Sequence, residues 1–248
     1  MNTPRAPLKR PRGYSLIEIT VVTGVLGLLA VSMVSAFDGV QQARSQNMAQ
    51  AQLQTAQQAL RGFALRNKRL PCPDDVGNGW ESPGCPSALQ NGWLPYASLG
   101  LQQPVPGQRI RYGVYRNTAV ADLARSTFQG MDIPDSSGLG GFSNALEKLA
   151  LAPASSSNPH YSNGSSALTS TACQSTDITN PAFLLVAPVM DLDGSGASSS
   201  PFDGPNLGFS GTSMCVAPPG RPATATYDDI VVAEGSSTLL GWLIEATR

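Results

Sequence analysis

Charge is scarce in this 248-residue chain, where Asp, Glu, Lys and Arg make up 13% of the residues, against a usual ~25% in soluble domains. Histidine is scarcer still. His160 is the single example, which leaves a Ser-His-Asp or Cys-His nucleophile almost nothing to draw on. No phosphate-cradling glycine loop and no metalloprotease motif occurs, so the chain is not expected to be an enzyme. No CxxC spacing occurs either, which argues against zinc on the cysteines. Basic residues are few outside the first turns of the sequence. Four of the sixteen Lys and Arg residues (Arg5, Lys9, Arg10 and Arg12) fall in the first 13 positions, so twelve face all seventeen acids in the remainder. A nucleic-acid binder shows the opposite balance, and nucleic acid is not expected among the partners. No internal repeat is visible.

Glycine and proline, by contrast, are plentiful, with 25 and 20 copies. With the Ser-rich second half they suit a loop-rich β domain better than a helical bundle. The four cysteines are Cys72, Cys85, Cys173 and Cys215. An even count behind a membrane-targeting N-terminus suggests disulfides in an oxidising compartment. Of the three possible pairings, Cys72 with Cys85 and Cys173 with Cys215 keeps each bridge within one half of the chain. The chain-entropy model assigns ~3 kcal/mol to the short loop and ~4 to the long one.

The N-terminus carries the sharpest signal. Residues 1–13 are basic and end in Gly13. Tyr14-Ser15-Leu16-Ile17-Glu18 follows, and Glu18 is the last charge before Asp38. Residues 16–37 would span about 33 Å as a helix at ~1.5 Å per residue, matching a bilayer core of ~30 Å. The positive leader should stay cytoplasmic. A plain anchor and a cleavable secretory signal, with its small Val34-Ser35-Ala36, both compete for this segment. Neither has a use for Glu18. A carboxylate inside an apolar run costs ~2.5–3.5 kcal/mol on insertion scales, whereas a filament can pair it with the free amino terminus of a neighbouring subunit.

Arg12-Gly13-Tyr14-Ser15-Leu16-Ile17-Glu18-Ile19-Thr20-Val21-Val22 resembles the N-terminus of the type IV pilin and type II secretion pseudopilin superfamily. The resemblance implies cleavage after Gly13 by a prepilin peptidase and methylation of the new amino terminus at Tyr14, where Phe is commoner. It implies filament assembly through Glu18, which falls fifth after the cut. The implied partners are the peptidase, other pilin or pseudopilin subunits, the inner-membrane assembly platform and membrane lipids. The implied location is the bacterial inner membrane, single-pass with the N-terminus cytoplasmic and the domain periplasmic, and then the filament. The helix-breaking proline that many major pilins carry is missing from residues 34–37, which favours a minor subunit.

After Asp38 the hydrophobic run gives way to Gln, Ala and Arg. Ala49, Leu53, Ala56, Leu60 and Phe63 recur at steps of four and three, an amphipathic stripe. One helix is expected over residues 14–67, ended by Pro71 and Pro73. Two heptads are too few for a coiled-coil stalk. Arg61, Arg66, Lys68 and Arg69 at its end suit the helix dipole, or a docking patch for an acidic partner. Leu70-Pro71-Cys72-Pro73, with Gly84-Cys85-Pro86 and Gly92-Trp93-Leu94-Pro95, looks like a subgroup of prepilin-like proteins with a disulfide loop after the long helix. Strands are expected over 109–116, 182–189 and 227–233, and the last resembles the final strand of many pseudopilins. A short helix is expected over 142–152, a strand or short helix over 239–246, and loops over 155–177 and 195–222.

The expected architecture is α+β and pilin-like, a long helix laid on a small antiparallel sheet with long loops. Its parts are a leader (1–13), a membrane or filament-core half-helix (14–37), an amphipathic half (38–69) and a globular domain (70–248). Two acidic pairs invite acid–base chemistry, Asp74 with Asp75 and Asp228 with Asp229. The second pair is expected on a strand, where neighbours point to opposite faces. Asp191-Leu192-Asp193-Gly194-Ser195-Gly196 overlaps the start of an EF-hand loop, but Phe202 stands where the bidentate glutamate belongs. A looser calcium site on Asp191, Asp193, Ser195 and Asp203 is one reading, and a surface turn is the other. No other cofactor is expected. The functional expectation is a structural filament subunit, with a membrane-tethered or pilus-displayed adhesin as the alternative.

Overall fold

The computed structural model describes residues 16–125, 141–168, 173, 177–192, 200–211 and 213–248, without the side chains of 30–38, 165 and 166. The cleavage and methylation positions Gly13 and Tyr14, and the calcium candidates Asp193 and Ser195, lie outside the described residues. The chain divides into two compact units, Met1–Arg44 and Ser45–Arg248.

Helix α1 spans Leu16–Asn67. In the first unit it exposes Leu16, Ile17, Val22, Leu26 and Leu29 together with Glu18. Thr20 and Thr23 donate their hydroxyls to the carbonyls of Ile17 and Ile19, so neither leaves an unmet donor on this apolar surface. Among the described residues no helix is long and apolar enough to cross a membrane; the stretch expected to do so runs on through residues 30–38.

In the second unit the stripe read from the sequence is buried, with Leu53, Ala56 and Leu60 at 1% exposure or less. The helix ends where Lys68 takes a left-handed φ of 52° and its N–H donates to the Ala64 carbonyl at 2.9 Å, a C-terminal cap without the usual glycine.

The remaining elements are β1 (Asn91–Trp93), β2 (Arg111–Val114), β3 (Arg116–Asn117), β4 (Ala121–Asp122), α2 (Gly141–Leu151), β5 (His160–Ser162), β6 (Ile178–Thr179), β7 (Phe183–Ala187), β8 (Cys215–Val216), β9 (Ile230–Glu234) and α3 (Ser236–Ala246). The main sheet is antiparallel in the order β1-β2-β7-β9. Beside it, β3 pairs with β4, while β5 pairs antiparallel with β6 and parallel with β8. The class is therefore mixed α+β.

Strand β7 shows why the core has two sides. All five of its residues are buried. Phe183, Leu185 and Ala187 join the cluster containing the α1 stripe, Leu146 of α2, and Leu239 and Leu243 of α3. Leu184 and Val186 join a second cluster with Phe202, Phe209, Val216, Tyr227 and Val231. The period-two alternation of a strand produces that division, and each large apolar side chain so buried contributes about 1.5–3 kcal/mol. Of the two readings left open for 239–246, strand or short helix, the helix is the one formed, and the loop expected over 155–177 contains β5. Both disulfides pair as favoured, Cys72 with Cys85 and Cys173 with Cys215, so zinc is not their role.

Candidate functional site

Sequence placed Asp228 and Asp229 on a strand, facing apart. The structure corrects this, because β9 begins only at Ile230. The two aspartates occupy the irregular segment before it, after a turn closed by the Thr224 N–H to the Tyr227 carbonyl at 2.7 Å. Asp203 immediately precedes the 3₁₀ turn Gly204–Gly208, where Pro205 sits in the first turn and Gly204 adopts φ 51°. Proline's fixed φ and glycine's freedom both suit that start. The three residues, distant in sequence, bring carboxylate oxygens within 4.8 Å of one another, and all three are buried.

Backbone donors orient each carboxylate. Asp203 Oδ1 accepts from the Leu192 N–H at 3.1 Å, and its Oδ2 accepts from the Asp228 N–H at 3.0 Å. Asp228 Oδ1 accepts from the Met190 N–H at 3.1 Å. Asp229 Oδ2 accepts from the Asp203 N–H at 2.8 Å and from Asn206 Nδ2 at 2.9 Å. Asn206 also donates to the Tyr227 hydroxyl and accepts from the Ala217 N–H. Two oxygens remain, Asp228 Oδ2 and Asp229 Oδ1, buried and accepting nothing from the protein.

Burial dominates the electrostatics. It pushes the Asp228 carboxyl up to about 6, the Met190 N–H opposes it, and the neighbouring Asp203 carboxylate adds to it. Burial likewise holds Asp229 well above the usual carboxylate range, against its bonds from Asn206 and the Asp203 backbone. Desolvation and like charge act in the same direction here, as they do wherever carboxylates crowd a dry site.

The other sequence candidates divide differently. Asp191 is exposed and stands outside the acidic group. Asp74 is buried and closes its own loop, accepting from the N–H groups of Val76, Gly77 and Gly79, while Asp75 is exposed. They form no acid–base pair. His160 is buried, with Nδ1 2.8 Å from the Asn158 carbonyl. Arg61 and Arg69 are engaged by Glu234 and Glu81 rather than offered to a partner.

Comparison with family models, with curated proteins and with solved structures finds no match to this chain. What the chain does must therefore be argued from its own residues.

Proposed function

We propose that the chain is a structural filament subunit of the type IV pilin or type II secretion pseudopilin kind, in a minor position. The observation that carries this reading is the first half of α1, where a single carboxylate, Glu18, sits among exposed large apolar side chains. A helix apolar on all sides needs lipid or other helices around it. The same helix continues into the stripe buried in the core of a mixed α+β domain with a small antiparallel sheet, which supports the reading.

Assembly rather than reaction is the mechanism. A prepilin peptidase removes residues 1–13 and frees the amino group of Tyr14. Glu18 pairs with an amino terminus in the growing filament, where the apolar surroundings strengthen the attraction. The apolar helices pack into the filament core, and the inner membrane holds the subunit until then.

Mass spectrometry of the mature protein tests this directly. A methylated N-terminus at Tyr14 is expected, and an intact Met1 or a start at Phe37 sinks the reading. Glu18→Ala should be cleaved normally and fail to enter filaments, while substitution of Gly13 should block cleavage.

A displayed binding protein is the second reading. It draws on Val76 and Trp80, 70% and 61% exposed, in the loop closed by Cys72 and Cys85. Loss of surface binding in Trp80→Ala, with filament entry unchanged, would support it.

A further inference from the structure

Helices α2 and α3 bring opposite ends to one recess. Its volume is about 360 Å³, within the usual range for small-molecule sites. The last turn of α2 supplies Leu149 and Ala150, and the first turn of α3 supplies Ser236 and Ser237. We propose that this recess binds a free apolar α-amino acid as its zwitterion. The carboxylate sits on the first turn of α3, the ammonium on the last turn of α2, and the side chain against the apolar lining.

The start of α3 is open. It follows Gly235 with no side-chain cap. Among the described residues, nothing accepts from the N–H groups of Ser236 and Ser237. Such N–H groups, aligned with the helix dipole, favour an anion. Ser236 adds a donor of its own. The residue is only 8% exposed, and its hydroxyl has no partner among the described residues. That hydroxyl is not sealed from solvent, so its open side is the recess that the residue lines. Thr179 lines the recess as well. Its Oγ1 accepts from Asn163 Nδ2 at 2.8 Å, which leaves its hydrogen to donate.

The end of α2 is open for a reason legible in the sequence. Pro153 has no N–H to offer the Leu149 carbonyl one turn back. The Ala152 N–H takes that carbonyl instead, at 3.1 Å, and the Ala150 carbonyl accepts from no backbone donor among the described residues. Carbonyls at a helix end favour a cation.

Much of the remaining lining is apolar, with Leu149, Ala152, Pro153, Pro181 and Ala233. Asn180, beside Pro181, is tied down before any ligand arrives. Its Oδ1 accepts from the Ser155 N–H at 2.7 Å, and its Nδ2 donates to the carbonyls of Ser155 and Pro159 at 2.9 and 3.0 Å. A wall fixed in advance lowers the cost of binding.

No charged side chain lines the recess among the described residues, so a ligand with no net charge fits it. Two opposite helix ends then call for one group of each sign. A fatty acid brings no cation, a sugar brings no charge, and a peptide end brings one charge only. An amino acid with an apolar side chain meets all three conditions.

Isothermal titration of the full chain in detergent with L-leucine provides the test. A dissociation constant at or below about 1 mM is expected, within reach of a ligand of this size. Isocaproate lacks the ammonium and L-leucine methyl ester lacks the carboxylate. Each should bind at least about tenfold more weakly, because hydrogen bonds to charged groups are the strong ones. Ser236→Pro removes a hydroxyl and an N–H together and should abolish measurable binding. Proline suits the first helical position, and the extended Gly235 (φ −67°, ψ 147°) suits a following proline. Should that variant fail to fold, Ser236→Ala should weaken binding about tenfold. Lys148→Ala, which alters a charge outside the recess, should bind as the parent does. Absence of binding by L-leucine, L-valine and L-methionine at about 10 mM would overturn the proposal. Equal binding of isocaproate, undiminished binding by Ser236→Ala, or loss of binding in Lys148→Ala would overturn it as well. None of these outcomes depends on Gly13 cleavage or filament entry, so the site and the filament reading fail separately.

Discussion

Arg61 of α1 places its guanidinium 2.8 Å from the carboxylate of Glu234, the last residue of β9. Gln57, one turn earlier, donates to the other oxygen of that carboxylate at 2.5 Å. Glu234 is 1% exposed, whereas Arg61 reaches solvent and lies 5.8 Å from the Trp242 ring centre. The contact joins the helix to the sheet's edge strand by charge as well as by apolar packing. Glu234→Ala should therefore destabilise the fold by about 2 kcal/mol, less than for a pair buried on both sides, because Arg61 can turn to water. Arg61→Met should cost more than its exposure suggests, since Glu234 would then be a buried charge with only Gln57. Urea denaturation of both variants checks the order.

Arg116 and Asp122 form a more deeply buried pair at 2.8 Å, with side chains 1% and 2% exposed. The same guanidinium donates to the carbonyls of Cys85, Pro86 and Leu89, pinning the disulfide loop to the β3–β4 hairpin. Asp122→Ala leaves that guanidinium buried without a counter-ion, and a loss of about 3–5 kcal/mol is expected. Asp122→Asn, which keeps one acceptor, should lose less. Melting temperatures of the two variants decide.

Gly113 in β2 faces Phe209 so closely that a Cβ there would stand 2.5 Å from the ring's Cζ. Gly113→Ala must displace that ring from the second apolar cluster, at about 1–3 kcal/mol. Gly107 has open space around it, and Gly107→Ala should stay within about 0.5 kcal/mol of the parent. Equilibrium unfolding of the two alanine variants side by side is the measurement.

Burial pushes the Tyr96 phenol up to about 12, although its oxygen accepts the Ile110 N–H at 2.8 Å. Burial also raises Tyr112, Tyr115 and Tyr227. An unfolded tyrosine ionises near ~10. Above that pH the unfolded chain sheds protons that the folded chain retains, so stability is full below about 10 and falls as pH rises towards 12. Phenolate absorbance followed against pH should show these tyrosines ionising together with unfolding. Their independent titration in the folded protein at pH 10 would contradict this.

Long periodic features were legible in the sequence. The stripe from Ala49 to Phe63 needed only the helical repeat, and β7 only its unbroken apolar run. Strand β5 was not legible. His160-Tyr161-Ser162 carries no apolar alternation, and its place follows from pairing with Cys215-Val216, held nearby by the bridge to Cys173. The acidic group was hidden for a related reason. Shifting the start of β9 from Tyr227 to Ile230 changes where two carboxylates point, and no local pattern marks that boundary. Asp203 joins them only through the tertiary fold. Its neighbour Phe202, which ruled out an EF-hand, belongs instead to the second apolar cluster. The C-terminal stretch 239–246 was ambiguous because short apolar runs fit both periods. Its start at Ser236, directly after β9, settles it as α3.

The central position of β7 and its pairing with β9 also govern timing. β9 spans Ile230–Glu234, so the sheet covering Leu53 and Leu60 cannot close until those late residues have been made. The helix is made first and covered last. Until then the nascent chain carries an uncovered apolar stripe, the kind of surface that chaperones occupy and that aggregates when they do not. Ribosomes stalled before codon 230 would release a chain with a complete α1 and no completed main sheet to receive it.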